Sequence, residues 1–342
     1  MIEVHYQKES LFHRHAQNPI LEPSHWPYRM DSVFNPGAVL LPDGTTVLLC
    51  RVEDRRGISH LSVARSANGV DGWEIEGQPS FMPDPDHYPE EVWGIEDPRI
   101  TYIPELAKYA IVYTAYSQHG PGIALAFTTD FQTFERQGML IPPIAKDATL
   151  LPQRINGRWA LVHRPARAVS QNRARFFDRR PQELPDGHIW VSFSTDLQHW
   201  EDHRLILHAR EGAWWDANKI GLTVPLIATD EGWLMLYHGV RQTASGSIYR
   251  SGLALFDAEL NACSLRGDMW VVGPEESYER IGDVPNIVFP CGYTLGPDGD
   301  TLRLYYGAAD TCIGLMTSSI REMLAWLHVH GQRSAPPLHE AV

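Results

Sequence analysis

The chain has 342 residues, of which 43% are hydrophobic and 21% charged, and its formal net charge is −13. This composition is typical of a globular protein with a sizeable core and excludes a disordered or fibrous chain. The acidic balance argues against nucleic acids and anionic membranes as main partners, because both would repel the protein. No segment approaches the roughly 18 apolar residues of a membrane span.

The N-terminus and the cysteines indicate a compartment and a class of site. The first ten residues, MIEVHYQKES, contain no basic start followed by an apolar stretch, so we expect a cytoplasmic protein. The cysteines are scattered and form no CxxC pair: Cys50, Cys263, Cys291 and Cys312. Neither a disulfide framework nor a zinc site is predicted, and we expect no metal and no cofactor.

Five short apolar strands recur along the chain. They are rich in β-branched and aromatic residues, and turn residues precede most of them. They read TTVLLCRV at 45–52, KYAIVYTAY at 108–116, RWALVHRP at 158–165, GWLMLYHG at 232–239 and TLRLYYGA at 301–308. Each is followed by a second strand that ends in a turn, so an antiparallel pair is repeated five times.

The spacing of these pairs favours a propeller over a sandwich. Units of about 50–70 residues leave room for four strands each, as in a propeller blade. A β-sandwich would show turn signals every ~8–12 residues without a long-range repeat. We therefore predict an all-β fold, a five-bladed β-propeller, as a single domain over residues 1–330.

Three segments outside the repeat are also assigned. Ser319 and Glu322 have the spacing of a capping box, which predicts a short helix near 319–329. Residues 331–342 are predicted to be a loose tail. The stretch 166–187 is long, charged and irregular, which is typical of a loop over a site or at an oligomer contact.

The segment WGIEDPRIT at 93–101 is the sharpest candidate for chemistry. Glu96 and Asp97 are adjacent acids, and on a regular strand they point to opposite faces, so only one can face a central channel. Arg99 or nearby backbone would support Asp97. The alternative is an ordinary Asp-Pro turn with Arg99 in a surface ion pair.

A second cluster is basic and stands at or near strand ends. Two or three cations with a hydroxyl suit a phosphate dianion, because guanidinium groups match its oxygens while Lys and Tyr add single donors. The residues are Arg164, Lys219, His238 and Tyr249, together with either Arg51 or Arg56. Each alone has an ordinary explanation, such as a core imidazole or a solvated lysine. Their shared placement favours a phosphate site.

The chain as a whole resembles the mannoside phosphorylases of glycoside hydrolase family 130. The matching stretches run in order from FNPGAV at 34–39 to YYGAADT at 305–311, and include WGIEDPRITY, KDATLLPQRINGRWALVHRP, WWDANKIG, LYHGV and GDVPNIVFPCG. The resemblance implies a five-bladed propeller as the fold. It implies a glycoside phosphorylase, which falls in the glycosyltransferase class, as the enzyme. It also implies inverting phosphorolysis of β-1,4- or β-1,2-linked manno-oligosaccharides, or of mannosyl-N-acetylglucosamine, to α-mannose 1-phosphate. A homo-oligomer is expected as well.

The resemblance assigns roles to individual residues. Asp97 corresponds to the catalytic acid, which relays its proton through a mannose hydroxyl. The phosphate-binding positions are Arg164, Lys219, His238, Tyr249 and an arginine of RVEDRR, Arg51 or Arg56. Asn35 and Asp310 correspond to positions that bind the nonreducing mannose, and we add Arg99 and Tyr116 to the substrate-binding set. One carboxylate suffices because phosphate, the co-substrate, is already an anionic nucleophile, whereas water needs a base.

Two other functions remain open. A β-mannoside hydrolase would need a second acid near the channel, and the candidates are Glu53, Asp54, Glu275 and Glu276. A non-catalytic propeller that binds glycans would need no phosphate cluster. Family members that lack the basic set are hydrolases, so the presence of this set favours a phosphorylase.

Overall fold

In the computed structural model, which describes residues 10–166, 187–244 and 246–333, the five predicted repeats form five separate β-sheets. Strand β1 (His13–Arg14) precedes the first blade, which contains β2 (Ser32–Leu40), β3 (Thr46–Glu53), β4 (Ser59–Ser66) and β5 (Glu74–Ile75). The second contains β6 (Ile95–Ile103), β7 (Lys108–Ser117), β8 (Gly120–Thr128) and β9 (Glu135–Ile141). The third contains β10 (Ala145–Leu150), β11 (Trp159–Pro165), β12 (Ile189–Ser194) and β13 (Glu201–Leu207).

The last two blades have a more elaborate connectivity. The fourth contains β14 (Lys219–Leu222), β15 (Ile227–Thr229), β16 (Gly232–Thr243), β17 (Gly246–Phe256) and β18 (Cys263–Gly267). The fifth contains β19 (Val288–Leu295), β20 (Thr301–Ala308) and β21 (Cys312–Ser319), and β1 completes it by pairing with β21. The helices are α1 (Ser277–Arg280), α2 (Ile320–His330) and two 3-10 turns, Pro23–His25 and Pro89–Glu91. The prediction of a five-bladed β-propeller is confirmed.

The apolar strands recognised in the sequence are the second strands of the blades. They are β3, β7, β11, β16 and β20, and adjacent blades bury apolar clusters between them. The innermost strands are β2, β6, β10, β14 and β19, which approach one another around the axis. The apolar strands therefore lie one strand away from the axis and do not themselves line the channel. Second strands are covered on both faces and hence apolar, whereas inner strands must also supply polar groups to the channel.

Three inner strands carry a β-bulge at the same place. The register shifts in β2, β6 and β10 include Asn35, Asp97 and Asp147, whose φ angles are 45°, 50° and 56°. Asn and Asp are the non-glycine residues that most readily adopt this left-handed conformation. A bulge changes the direction of the side chains that follow it. The repeated bulge therefore aims polar side chains of three blades into the channel.

A buried ionic group holds the loop that enters an inner strand. Within the described residues, the same arrangement occurs separately in three blades. In each of them a buried carboxylate accepts a hydrogen bond from a tyrosine hydroxyl of the second strand and pairs with an arginine of the fourth strand. The groups are Glu91, Tyr113 and Arg136; Asp216, Tyr237 and Arg266; and Glu279, Tyr306 and Arg14. Buried carboxylates need such partners, and here the partners belong to strands that are distant in sequence.

The C-terminal helix begins as predicted. The Oγ of Ser319 accepts a hydrogen bond from the backbone N–H of Glu322 at 3.2 Å. The predicted tail is partly wrong, because Gly331 and Gln332 form strand β22 against β18. Residues 334–342 and 167–186 lie outside the described residues, and with them most of the predicted loop. The single-domain assignment over 1–330 stays a prediction. Over the described residues, no helix has the length and apolar character to span a membrane.

Candidate active site

Polar side chains from several blades meet at one mouth of the channel. Inner strands begin, and second strands end, at the same end of each sheet, because neighbouring strands are antiparallel. The first parts of β6, β10 and β14 supply Asp97, Lys146 and Lys219, and the last parts of β3, β11 and β16 supply Arg51, Arg164 and His238. The mouth has two halves, which adjoin at β10.

Asp97 lies at the centre of the first half. Its buried Oδ1 accepts hydrogen bonds from Asn35 Nδ2 at 2.9 Å and Arg51 Nη1 at 3.1 Å, and Lys146 Nζ is 4.0 Å from Oδ2. Burial raises the pKa of this carboxyl group, but Arg51, Lys146 and the Asn35 bond lower it further than burial raises it. The net pKa lies below its ordinary value, so Asp97 is ionised at neutral pH in the ligand-free mouth.

Glu96 faces the same cations as its neighbour Asp97. Its Oε1 is 3.2 Å from Arg51 Nη2, and its Oε2 is 3.6 Å from Lys146 Nζ. The expectation that strand alternation would turn one of the two acids away is therefore wrong. The bulge between Glu96 and Arg99 breaks the alternation. Sequence reasoning also missed Lys146, which stands in the KDATLL stretch directly before a bulged residue.

The structure separates the two arginines of the RVEDRR stretch. The side chain of Arg51 is 13% exposed, and its Nε donates to Ser59 Oγ at 2.9 Å. The side chain of Arg56 is 71% exposed and donates to Asp54 within its own turn, from Nε at 2.9 Å and from Nη2 at 2.6 Å. Arg51 is thus buried among the groups of the mouth, whereas Arg56 is exposed and paired within its own turn.

The four acids considered for a hydrolase are also dispersed. Glu53 Oε2 lies 3.3 Å from Arg51 Nη2 at the mouth. Asp54 is occupied by the exposed arginine of its turn. Glu275 pairs with Arg14 at 3.0 Å, and Glu276 is exposed at the start of α1. Of these candidates, Glu53 is the one that contacts a residue of the mouth.

The second half of the mouth is organised by Asp147, which sequence reasoning missed. Its buried Oδ2 is 2.8 Å from Arg164 Nε, 2.7 Å from Arg164 Nη2 and 3.7 Å from His238 Nε2, and Arg99 Nη2 is 3.8 Å from Oδ1. Burial raises the pKa of this carboxyl group, but Arg164, His238 and Arg99 hold it far below its usual range. An alignment of the repeats with one another could have indicated Asp147. In that alignment Lys-Asp-Ala stands at the position that Glu-Asp-Pro and Phe-Asn-Pro occupy in neighbouring blades.

Three predicted phosphate ligands come together beside Arg164. Lys219 Nζ donates to the hydroxyl of Tyr249 at 2.9 Å. The ring of His238 lies 4.9 Å from the ring of Phe289 and 5.8 Å from that of Tyr249. Burial, with Arg164 and Lys219 adding to it, lowers the pKa of His238 to about 3 although a nearby carboxylate opposes the shift. His238 is therefore neutral at physiological pH.

Two glycines make the close approaches of the mouth possible. A Cβ at Gly221 would lie 2.5 Å from His238 Cε1 and 2.6 Å from Asp147 Oδ2. A Cβ at Gly307 would lie 2.1 Å from Asn35 Oδ1. A side chain at either position would displace a polar group of the site, so both glycines are required by packing.

Arg99 lies below the mouth rather than in it. Its buried guanidinium donates to the carbonyl oxygens of Thr223 at 2.5 Å, Leu222 at 2.9 Å and Asp97 at 3.2 Å. These bonds tie the second blade to the fourth. The predicted role of Arg99 in binding sugar gains no support from this position, which is that of a residue that positions Asp97.

The other predicted sugar-binding residues lie at the mouth or its rim. Burial raises the pKa of Asp310 to about 7, with Arg51 opposing and Asp97 adding to the shift. Asp310 therefore shares the electrostatic environment of the first half. The half-buried ring of Tyr116 packs edge-on against Trp93 at 5.5 Å. Over the described residues, no group of three or more His, Cys, Asp or Glu is arranged to hold a metal ion.

Comparisons with known proteins identify the family. The sequence profile of glycoside hydrolase family 130, described as β-1,4-mannooligosaccharide phosphorylase, matches residues 10–329. A β-1,4-mannooligosaccharide phosphorylase of Ruminococcus albus is 28% identical over 93% of this chain and 91% of its own length. The solved β-1,2-mannobiose phosphorylase of Listeria innocua is 27% identical with a TM-score of 0.78, over 93% of this chain and 99% of that one.

A second solved structure bears on the type of reaction. It is described as showing that this family of mannoside phosphorylases contains hydrolases that target β-1,2 mannosidic linkages in Candida mannan. It is 25% identical with a TM-score of 0.75, over 91% of this chain and 94% of that one. Because the family profile matches nearly the whole length of the chain, this protein belongs to glycoside hydrolase family 130.

Proposed function

We propose that the protein is an enzyme of the glycosyltransferase class that cleaves β-mannosides with inorganic phosphate and releases α-mannose 1-phosphate. The observation that carries this proposal is the second half of the mouth, where Arg164, Lys219, His238 and Tyr249 stand together around Asp147. Phosphate needs cations rather than a base, since it is already a nucleophile. The relatives are named as phosphorylases of β-1,4 and β-1,2 mannosides, so either linkage suits the proposal.

The second half has unused capacity for an anion. Among the described residues, Lys219 pairs with no carboxylate, and its ammonium group and the Tyr249 hydroxyl form one hydrogen-bonded unit. The Nδ1 of His238 is buried and makes no hydrogen bond within the described residues. Buried polar atoms are normally satisfied, so an oxygen of bound phosphate fits this position. Arg164, held by its carboxylate partner, would complete the site as a fixed fork.

The first half supplies groups for the sugar and its proton. The Oδ1 of Asn35 is buried and also makes no hydrogen bond within the described residues, so it can accept a sugar hydroxyl. Phosphate would attack C1 of the mannosyl unit while the C1–O bond breaks on the opposite face. The leaving oxygen would take a proton from Asp97 through a mannose hydroxyl. Because Asp97 is ionised in the ligand-free site, it must first gain a proton, and a phosphate dianion bound in the same mouth raises its pKa in the required direction.

A β-mannoside hydrolase is the second candidate. It is favoured by Glu53 and Glu96, which both contact Arg51 at the mouth, and by the hydrolases described for the family. Inverting hydrolysis needs a second carboxylate about 6.5–9.5 Å from the acid, with room for water between them. The phosphate half of the mouth has no role in such an enzyme.

The test measures cleavage of β-1,4- and β-1,2-mannobiose with and without phosphate, with the products followed by phosphorus NMR. We expect saturable dependence on phosphate and formation of α-mannose 1-phosphate. Lys219→Ala should raise the phosphate KM about 10- to 100-fold, because one charge-assisted contact contributes about 1.5–3 kcal/mol. Lys108→Ala, which removes an outer lysine paired with Glu135, is the matched control and should behave as wild type. Release of free mannose at full rate without phosphate would identify a hydrolase.

Three further features complete the proposal. No metal or organic cofactor takes part, since phosphate as co-substrate and the side chains of the mouth supply every group the reaction needs. A cytoplasmic location is supported by the cysteines, all four of which are free thiols. A homo-oligomer is supported by Ile281 and Val284, apolar residues before β19 whose exposed fractions are 76% and 41%.

A further inference from the structure

An open cleft lies beside the mouth, on the fourth blade. Its volume is about 640 Å³, which falls in the about 300–1,000 Å³ range of small-ligand sites. Its principal lining residues are Trp214, Trp215, Arg241, Arg250, Met269 and Trp270. The two adjacent tryptophans precede β14, Arg241 lies near the end of β16, Arg250 lies in the first half of β17, and Met269 and Trp270 follow β18. All of these positions are at the same end of the sheet as the mouth.

The cleft and the phosphate half of the mouth are on opposite faces of one strand. Tyr249 and Arg250 are consecutive in β17, and successive side chains of a strand point to opposite faces. Tyr249 faces the mouth, where it binds Lys219. Arg250 faces the side on which Trp215 joins the apolar cluster shared by the third and fourth blades. The cleft is therefore a separate site.

The cleft has aromatic walls, and the tryptophan at its base is tightly packed. Trp214 and Trp270 are 41% and 38% exposed, which is high for indoles. Trp215 is buried, and a Cβ at Gly239 or Gly252 would lie 2.6 Å from its ring, so these glycines form a slot for it. Flat apolar faces of this kind pack well against the C–H faces of a sugar ring.

The cleft also holds two arginines, Arg241 and Arg250, and one acid, Asp268, with which neither arginine pairs in the described part of the chain. Within residues 10–166, 187–244 and 246–333, neither Arg241 nor Arg250 has a carboxylate within salt-bridge distance, although acids exceed bases in this protein. The guanidinium of Arg250 lies 5.0 Å from the centre of the Trp270 ring, which holds it in place. Burial, and then the charge of Arg241, lowers the pKa of Arg250, which indicates that the two like charges are close together. An anion would relieve this repulsion.

Two further polar atoms beside the arginines lack a hydrogen-bond partner among the described residues. The Nε1 of Trp215, a residue that is 7% exposed, makes no hydrogen bond within the part of the chain that the structure describes. The same holds for Oδ1 of Asp268, which lines the cleft. One is a donor and the other an acceptor, a combination that suits sugar hydroxyls.

We propose that this cleft binds a saccharide unit that carries one carboxylate or phosphate group. The anionic group lies between Arg241 and Arg250, the ring packs on the exposed indoles, and the hydroxyls bond to Trp215 and Asp268. The site is distinct from the phosphate half of the mouth, and the proposal holds whether the enzyme is a phosphorylase or a hydrolase.

The test is calorimetric titration of the full chain with D-glucuronate, D-glucose 6-phosphate and D-glucose. We expect at least one anion to bind at least about tenfold more tightly than glucose, since each charge-assisted bond contributes about 1.5–3 kcal/mol. Binding of glucuronate alone or of the phosphate ester alone shows which anionic group the arginines take. Equal binding of glucose, or no binding of either anion, would overturn the proposal.

Variants then locate the site. Arg250→Gln and Arg241→Gln, checked by thermal melting, should each weaken anion binding by about tenfold or more. Lys219→Ala, which alters the mouth on the other face of β17, should leave the affinity unchanged. If Lys219→Ala abolishes binding while both arginine variants bind like wild type, the anion occupies the mouth and the proposal is wrong.

Discussion

Replacing Asp97 by Asn tests the assignment of the proton donor. The substitution keeps the size of the side chain but removes its negative charge and its ability to take up and donate a proton. Asn35 Nδ2 and Arg51 Nη1 both donate to Asp97 Oδ1, at 2.9 and 3.1 Å, and an amide oxygen in the same place can still accept these bonds. The variant should therefore fold and still bind phosphate.

The size of the effect follows from the contacts. General acid catalysis contributes about 10²–10⁴-fold, so kcat of Asp97→Asn on a natural disaccharide should fall by that factor. Removing one partner of a buried ion pair costs about 3–5 kcal/mol when the other is left alone. Arg51 is not left alone, because Glu96 and Glu53 lie 3.2 and 3.3 Å from its Nη2. We expect the free energy of unfolding to fall by about 1.5–3 kcal/mol, the range of one charge-assisted hydrogen bond.

The assay compares kcat of Asp97→Asn and Glu96→Gln on one β-mannobiose at saturating phosphate, with thermal melts as the folding control. Glu96→Gln should lose less than about tenfold, because Glu96 meets Arg51 and Lys146 but lacks the bond from Asn35 that orients Asp97. A mannoside with a good leaving group, such as 4-nitrophenyl β-mannoside, should restore much of the rate of Asp97→Asn, because its leaving oxygen needs no proton.

Two results would refute this reasoning. If Asp97→Asn turns over like wild type while Glu96→Gln is inactive, the donor is Glu96, which the structure places at the same cations. If the activated substrate does not restore the rate of Asp97→Asn, the carboxylate positions the substrate and does not donate a proton.

Three further substitutions probe groups whose surroundings are defined by the tertiary structure. Asp147→Asn leaves Arg164 without the carboxylate at 2.7 Å, so the free energy of unfolding should fall by about 3–5 kcal/mol and the phosphate KM should rise, as chemical denaturation and initial rates will show. Asp310, with its pKa raised to about 7, is neutral below that pH and anionic above it; kcat/KM should decline as pH rises through about 7, because the new anion repels phosphate, and Asp310→Asn should remove the decline in the same buffers. Gly221→Ala puts a methyl group 2.5 Å from His238 Cε1 and should lower both the melting temperature and the affinity for phosphate, whereas unchanged values would mean that the site relaxes freely.

Much of the architecture could be predicted because it depends on local pattern. The second strands of the blades are covered on both faces, so they appear in the sequence as short apolar runs bounded by turns, and their number equals the number of blades. The capped helix α2 was predictable for a similar reason, since Ser319 and Glu322 meet within one turn. Asp97 and the basic set were found because motifs shared with a known family mark them.

The arrangement of the mouth was decided by tertiary structure. Inner strands are bulged and polar, so they show neither clean alternation nor an apolar run, and the sequence alone indicated neither Asp147 nor Lys146. The direction of Glu96 depends on the left-handed backbone at Asp97, which reverses an argument based on ideal alternation. Asp147 meets His238 only when the third and fourth blades pack side by side. Contacts between residues so far apart along the chain leave no periodic signal, because they arise from closure of the ring.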